Sequence, residues 1–114
     1  MATGKIEAPN GPTGKSSYGT GDVAYKVGAL VCVVCTTGTW YNDGANGTIC
    51  KDSASGTPWV LPVGFRPVDE INFVETVNDY RMRVKTDGTI VCNTDISGGK
   101  TLRFSVCFIS DARF

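Results

Sequence analysis

Two closely spaced prolines constrain this chain more than any other feature. The stretch Trp59 to Phe73 reads Trp-Val-Leu-Pro-Val-Gly-Phe-Arg-Pro-Val-Asp-Glu-Ile-Asn-Phe, with Pro62 and Pro67 bracketing Val63-Gly64-Phe65-Arg66. Each proline fixes its own φ and pushes the residue before it towards an extended geometry. Leu61 and Arg66 are therefore expected to be extended, with Gly64 free to take a positive φ between them. No helix runs through such a segment. It reads as a stiff, kinked hinge joining a Gly-rich first half to a strand-rich second half of one β-domain.

A chain of 114 residues suits a single core. Fourteen glycines, frequent Thr and Val and no helix-favouring run point to an all-β fold with many tight turns. The expected architecture is a compact Greek-key β-barrel or sandwich of six to eight short strands with an extended N-terminal arm. Residues 1–27 form the arm, for attachment or subunit contacts, and residues 28–114 form the barrel. The arm assignment rests on residues 1–22, which are rich in Gly, Pro, Ser and Thr and, after Met1, hold only Ile6 and Tyr18 as large apolar side chains.

Strand patterns follow in order. Val23 to Val27 reads as a short strand. Ala29 to Thr36 is apolar almost throughout rather than alternating, so both of its faces are expected to be covered. A second subunit or an internal element would do this equally well. Thr37 to Gly47 is a loop, Asn46-Gly47 is a tight-turn pair, and Thr48 to Lys51 is a short strand. Ile71, Phe73 and Glu75 share one strand face. Tyr80, Met82 and Val84 alternate with Arg81, Arg83 and Lys85, a half-buried strand. Thr86-Asp87-Gly88 is a hairpin turn with Gly88 at positive φ, and Ser97-Gly98-Gly99 turns again. Leu102, Phe104, Val106 and Phe108 should anchor the core, at roughly 1.5–3 kcal/mol of burial each.

Eleven basic residues balance eleven acidic ones, and no basic run tracks a phosphate backbone, so nucleic acid is not an expected partner. No apolar run approaches the roughly 18 residues needed to cross a bilayer, so membrane insertion is not expected. The first residues lack the apolar core of a secretory leader, which predicts a chain made and kept soluble or released by lysis.

Histidine is absent, which removes the commonest general base and metal ligand. Gly14-Lys15-Ser16 resembles the end of a phosphate-binding loop, but the pattern's first glycine position holds Pro9. Cys32 and Cys35, three apart on a strand, face opposite ways about 10 Å from each other, too far for a mutual bridge. An odd count of five cysteines and no leader argue against a disulfide framework. Either sulfur remains able to pair across strands with Cys92 or Cys107. Asn46-Gly47-Thr48 matches a glycosylation acceptor and reads as a turn. Of the carboxylates at Asp43, Asp52, Asp69, Glu70, Glu75 and Asp79, no catalytic pair stands out. No enzyme activity, catalytic residue, metal or cofactor is expected.

Binding is a better prospect. Trp40 and Tyr41 lie in a Gly-rich loop beside Asn42 and Asp43. Aromatic faces stack on the apolar side of sugar rings, and amides and carboxylates bind the hydroxyls. The competing reading is that one aromatic closes the end of the core. Arg81 and Arg83, with Tyr80, make a second candidate glycan surface.

Leu61-Pro62-Val63-Gly64-Phe65-Arg66-Pro67, followed by Phe73, resembles a stretch in the receptor-binding head domains of bacteriophage tail proteins. There Leu-Pro-x-Gly-(Phe/Tyr)-Arg-Pro precedes a strand. The Thr86-Asp87-Gly88-Thr89-Ile90 hairpin and the aromatic-rich strand from Thr101 to Ser110 extend the likeness over about residues 38 to 110. The resemblance implies a Greek-key barrel, a homotrimer and a place on the virion surface after assembly in the host cytoplasm, which would suit five free thiols. Better-known members bind cell-wall saccharides or glycerol phosphates at or between subunits. The matched segment is structural in that family, so it carries over the fold and no ligand residues. The chain lacks the stalk of longer members, which leaves residues 1–27 as its contact to other virion proteins. The functions expected are host adsorption by glycan binding or, alternatively, a capsid or tail decoration role through the arm.

Overall fold

The computed structural model describes residues 13–19 and 21–111. They form ten strands and no helix: β1 (Thr13–Gly19), β2 (Asp22–Val27), β3 (Leu30–Cys35), β4 (Thr39–Trp40), β5 (Gly47–Thr48), β6 (Ile71–Val74), β7 (Arg81–Val84), β8 (Ile90–Cys92), β9 (Lys100–Thr101) and β10 (Phe104–Ile109). Two antiparallel sheets of four strands, ordered β1-β2-β3-β10 and β5-β8-β7-β6, face one core, and β4 pairs with β9 as a small ribbon. The all-β expectation holds, but ten strands replace six to eight and the described residues form no closed barrel.

Residues 13–27 are not an arm. They are a hairpin in the larger sheet, with Lys15 opposite Tyr25 and Ser17 opposite Val23. Small polar residues carry little strand signal of their own, and here pairing supplies the order. Of the expected arm, residues 1–12 lie outside the described residues.

Inner faces follow the alternation. Val31, Val33 and Cys35 of β3 and Phe104, Val106 and Phe108 of β10 meet Met82, Val84, Ile90 and Cys92 of the second sheet. The four expected anchors from Leu102 to Phe108 are all buried. So is Glu75, which continues the inward face of Ile71 and Phe73. Its carboxylate accepts amides from Val77 (3.0 Å), Tyr80 (3.4 Å) and Arg103 (3.3 Å), and also that of Asn78. It thereby ties the turn after β6 to the start of β10.

The proline-framed stretch closes the domain between its sheets. Val60 bridges to Thr89 at the hairpin leading into β8, and Pro67 bridges to Ser110 just after β10. Between them the Phe65 amide donates to the Pro62 carbonyl (3.0 Å), with Gly64 at φ 97°, the geometry of a type II turn. The Ser110 hydroxyl then donates to the Gly64 carbonyl (2.7 Å). Trp59, Leu61 and Phe65 are buried along this course. Gly88 is required for the fit. It takes φ 89°, and a Cβ there would strike the Leu61 carbonyl oxygen.

Candidate functional site

Sequence reasoning offered Trp40, Tyr41, Asn42 and Asp43 as one surface, and the fold separates them. Trp40 is 0% exposed. Its ring stacks on Trp59 at 5.5 Å and 15°, and its indole N–H donates to the Thr37 carbonyl (3.2 Å). Asn42 is equally buried, and its side chain is fully engaged with backbone. It donates to the carbonyls of Thr94 (3.0 Å) and Cys92 (3.5 Å) and accepts from the amides of Gly44 (3.2 Å) and Ile96 (2.9 Å). In this conformation neither residue presents a face to a sugar. Trp40 closes the end of the core, the competing reading of that loop. Tyr41 is half-buried, bridged to Cys50 and packed at Gly99, and Asp43 is exposed.

Arg81 and Arg83 lie on the outer face of the second sheet. Arg83 donates to Asn93 (3.3 Å) and Asn46 (3.3 Å) and pairs with Glu70 at 3.5 Å. Arg81, Asn72, Val74 and Asn93 border a hollow of about 290 Å³. No residue of the Trp40 loop borders it.

A larger cleft, of about 510 Å³, opens between the end of β1 and the 51–60 loop. Ser16, Tyr18, Lys51, Asp52, Pro58 and Trp59 are among the residues that line it. Tyr18 is tilted against both Trp40 (5.3 Å) and Trp59 (5.6 Å), so the ring of Tyr18 at the cleft is backed by two buried indoles that hold it in place. The Tyr18 hydroxyl donates to the Thr57 carbonyl across the cleft. Burial pushes its pKa up, and the nearby acidic groups add to this, so the phenol stays protonated.

Lys51 is fixed from below. Its ammonium pairs with Asp22 at 2.7 Å and lies 4.6 Å from the Trp40 ring centroid. The Asp22 carboxylate is 0% exposed and also accepts from the Thr37 hydroxyl (3.0 Å) and the Thr36 amide (3.3 Å). Asp52 holds φ 77° at the exposed rim. The cleft thus offers hydroxyls, one ammonium, one carboxylate and an aromatic wall. Sequence reasoning missed it because its two sides lie more than thirty positions apart in the chain. The available signal was Tyr18 and Trp59, two aromatics flanked by Ser, Thr, Asp and Lys.

The cysteines divide by face. Cys32 and Cys107, opposite each other on β3 and β10, form a disulfide. Of the cross-strand pairings left open by the sequence, strand register makes this one, so the five free thiols that the resemblance would suit become three. Cys35, Cys50 and Cys92 are free and buried. Burial, reinforced by Asp22, pushes the Cys35 thiol up to about 12, and burial also raises Cys50 and Cys92. All three are held as thiols rather than reactive thiolates. No group of three or more His, Cys, Asp or Glu side chains converges among the described residues.

No family model, curated protein or solved structure matches this chain. The fold and site define a two-sheet β-domain with an aromatic-floored polar cleft.

Proposed function

We propose that this protein is a bacteriophage virion surface domain that serves host adsorption by binding cell-surface glycans, and that the cleft between β1 and the 51–60 loop holds the saccharide. The observation that carries the binding role is the cleft itself. Its volume of about 510 Å³ falls in the range of small-ligand sites. It sets an aromatic wall at Tyr18 beside the Ser16 hydroxyl, the fixed Lys51 ammonium and the Asp52 carboxylate. A sugar ring needs this division: a flat apolar partner and charged hydrogen-bonding groups at its edge. The phage assignment draws on the Leu61–Pro67 motif and its resemblance. The lock this motif makes between the sheets accords with a scaffold role for it.

The test is a bacterial glycan array that includes cell-wall polysaccharides and glycerol phosphate polymers, probed with wild type, Asp52→Asn and Ser16→Trp. Asn tolerates the left-handed backbone at position 52, so Asp52→Asn changes charge and little else. Binding should fall roughly tenfold in Asp52→Asn, the scale of one charge-assisted hydrogen bond, and vanish in Ser16→Trp. Unchanged binding in both variants removes the cleft from the account, and no binding to any cell component removes the role.

A decoration role through the N-terminal residues is the second reading, carried over from the resemblance. Attachment then falls to residues 1–12, since 13–27 belong to the sheet. Deleting residues 2–12 should abolish incorporation into particles while leaving the domain folded. Unaltered incorporation rules it out.

A further inference from the structure

The outer face of the β1-β2-β3-β10 sheet places aliphatic side chains in ordered lines facing water. Val27 is opposite Leu30, and Leu30 is opposite Ile109. The Pro67–Ser110 bridge and the Val68 amide on the Ile109 carbonyl (3.1 Å) add Val68 to the same line. These four residues are 53%, 48%, 56% and 51% exposed, a continuous aliphatic stripe over four neighbouring chain segments. The next line is Tyr25, Cys32 and Cys107, and the third is Val23, Val34 and Ser105. β2, β3 and β10 put no charged side chain on this face, because Asp22 and Lys26 both point inward. β3 is apolar on both sides, and no described element covers its outer one.

We propose that this face packs against the same face of a second copy of this chain, sheet on sheet about a two-fold axis. The inference is independent of the saccharide reading. Lys15, opposite Tyr25 on the edge strand β1, is the one charge bordering this face, and the β2-β3-β10 part, which carries none, has little to offer a phosphate polymer or an acidic or basic partner. Residues 1–12 supply only Met1 and Ile6 as large apolar side chains, and residues 112–114 only Phe114, too few to cover three lines. The patch amounts to roughly 500 Å² of largely apolar surface, at the upper end for a lone monomer. Two such patches with their rims reach the roughly 1,200 Å² of a small specific interface. A two-fold contact needs one self-complementary surface, which an apolar sheet face is. Paired sheets pack about 10 Å apart with their strands nearly aligned. The Cys32–Cys107 disulfide holds β3 and β10 in register at the centre of the patch. A pair built this way departs from the threefold arrangement that the family resemblance implies.

Sedimentation equilibrium on the full oxidised chain tests this. Wild type should have twice the 12.1 kDa chain mass at micromolar concentration. Leu30→Lys with Ile109→Lys should give single chains, and Val68→Lys, outside the strands, should weaken association at least about tenfold. Val77→Lys, elsewhere on the surface, should leave the mass unchanged, and circular dichroism should confirm that every variant is folded. A wild type of one or three chains overturns the proposal, as does a dimer that persists in both the Leu30/Ile109 and Val68 variants.

Discussion

Lys51 and Asp22 are the charges on which the cleft floor rests, and their coupling is open to measurement. Asp22 is 0% exposed while Lys51 is 25% exposed, at an N–O distance of 2.7 Å. Replacing Lys51 by Met keeps the stem but removes the cation from the buried carboxylate, which keeps neutral donors such as the Thr37 hydroxyl and the Thr36 amide. Breaking a buried pair from one side costs about 3–5 kcal/mol. Discounting for the partial exposure of Lys51 lowers this to about 2–4 kcal/mol, some of it from the lost cation–π contact with Trp40. Asp22→Asn should cost about 2 kcal/mol, because an amide still accepts from Thr37. In the double variant the two losses should fall short of additivity by about 1.5–3 kcal/mol. Urea unfolding of wild type, both single variants and the double variant closes the cycle, with a constant m-value as the check on two-state behaviour. A coupling below about 0.5 kcal/mol would refute the argument, because the pair would then act as an ordinary surface ion pair.

Three further outcomes follow from the same reasoning. Glu75→Ala strands four backbone amides and should cost about 3–5 kcal/mol in urea unfolding, with Glu75→Gln losing about half as much. Thiol titration should find no rapidly reacting thiol in the native protein, three after denaturation and five after denaturation with reduction. Asp87 accepts from the amide (3.0 Å) and hydroxyl (2.7 Å) of Thr89, and these bonds depress its pKa. Its contribution is present above the ordinary aspartate value of 3.8 and is lost as pH falls through the depressed one. Asp87→Ala should therefore lose less stability than wild type as acid is added over that window, read by urea midpoints.

Local chemistry made much of this fold legible. Proline and glycine placed the kink at Gly64 and the turn at Gly88, because their allowed backbone angles are written into the residues. Alternation placed β7 and β10, because one buried face imposes a period of two. The β1 strand was hidden, since Thr-Gly-Lys-Ser-Ser-Tyr-Gly is strand only by virtue of its partner β2. Trp40 was ambiguous for the same reason. An indole in a Gly-rich loop becomes a plug or a sugar platform according to distant residues, here Trp59, Lys51 and Tyr18. The cleft had no local signature, being built from two segments that only the packing brings together. The apolar run of β3 does form a strand, but of the two covered faces expected for it only the inner one is covered among the described residues, with Leu30 exposed on the other.

Amide chemical-shift mapping of the labelled protein, titrated with the strongest saccharide from the array, tests the binding account most directly. Shifts should cluster at residues 16–19 and 51–60, with the Tyr18 ring signals moving together with them. Shifts centred instead on Asn72, Arg81 and Asn93, or no saturable shift at any residue, would contradict it.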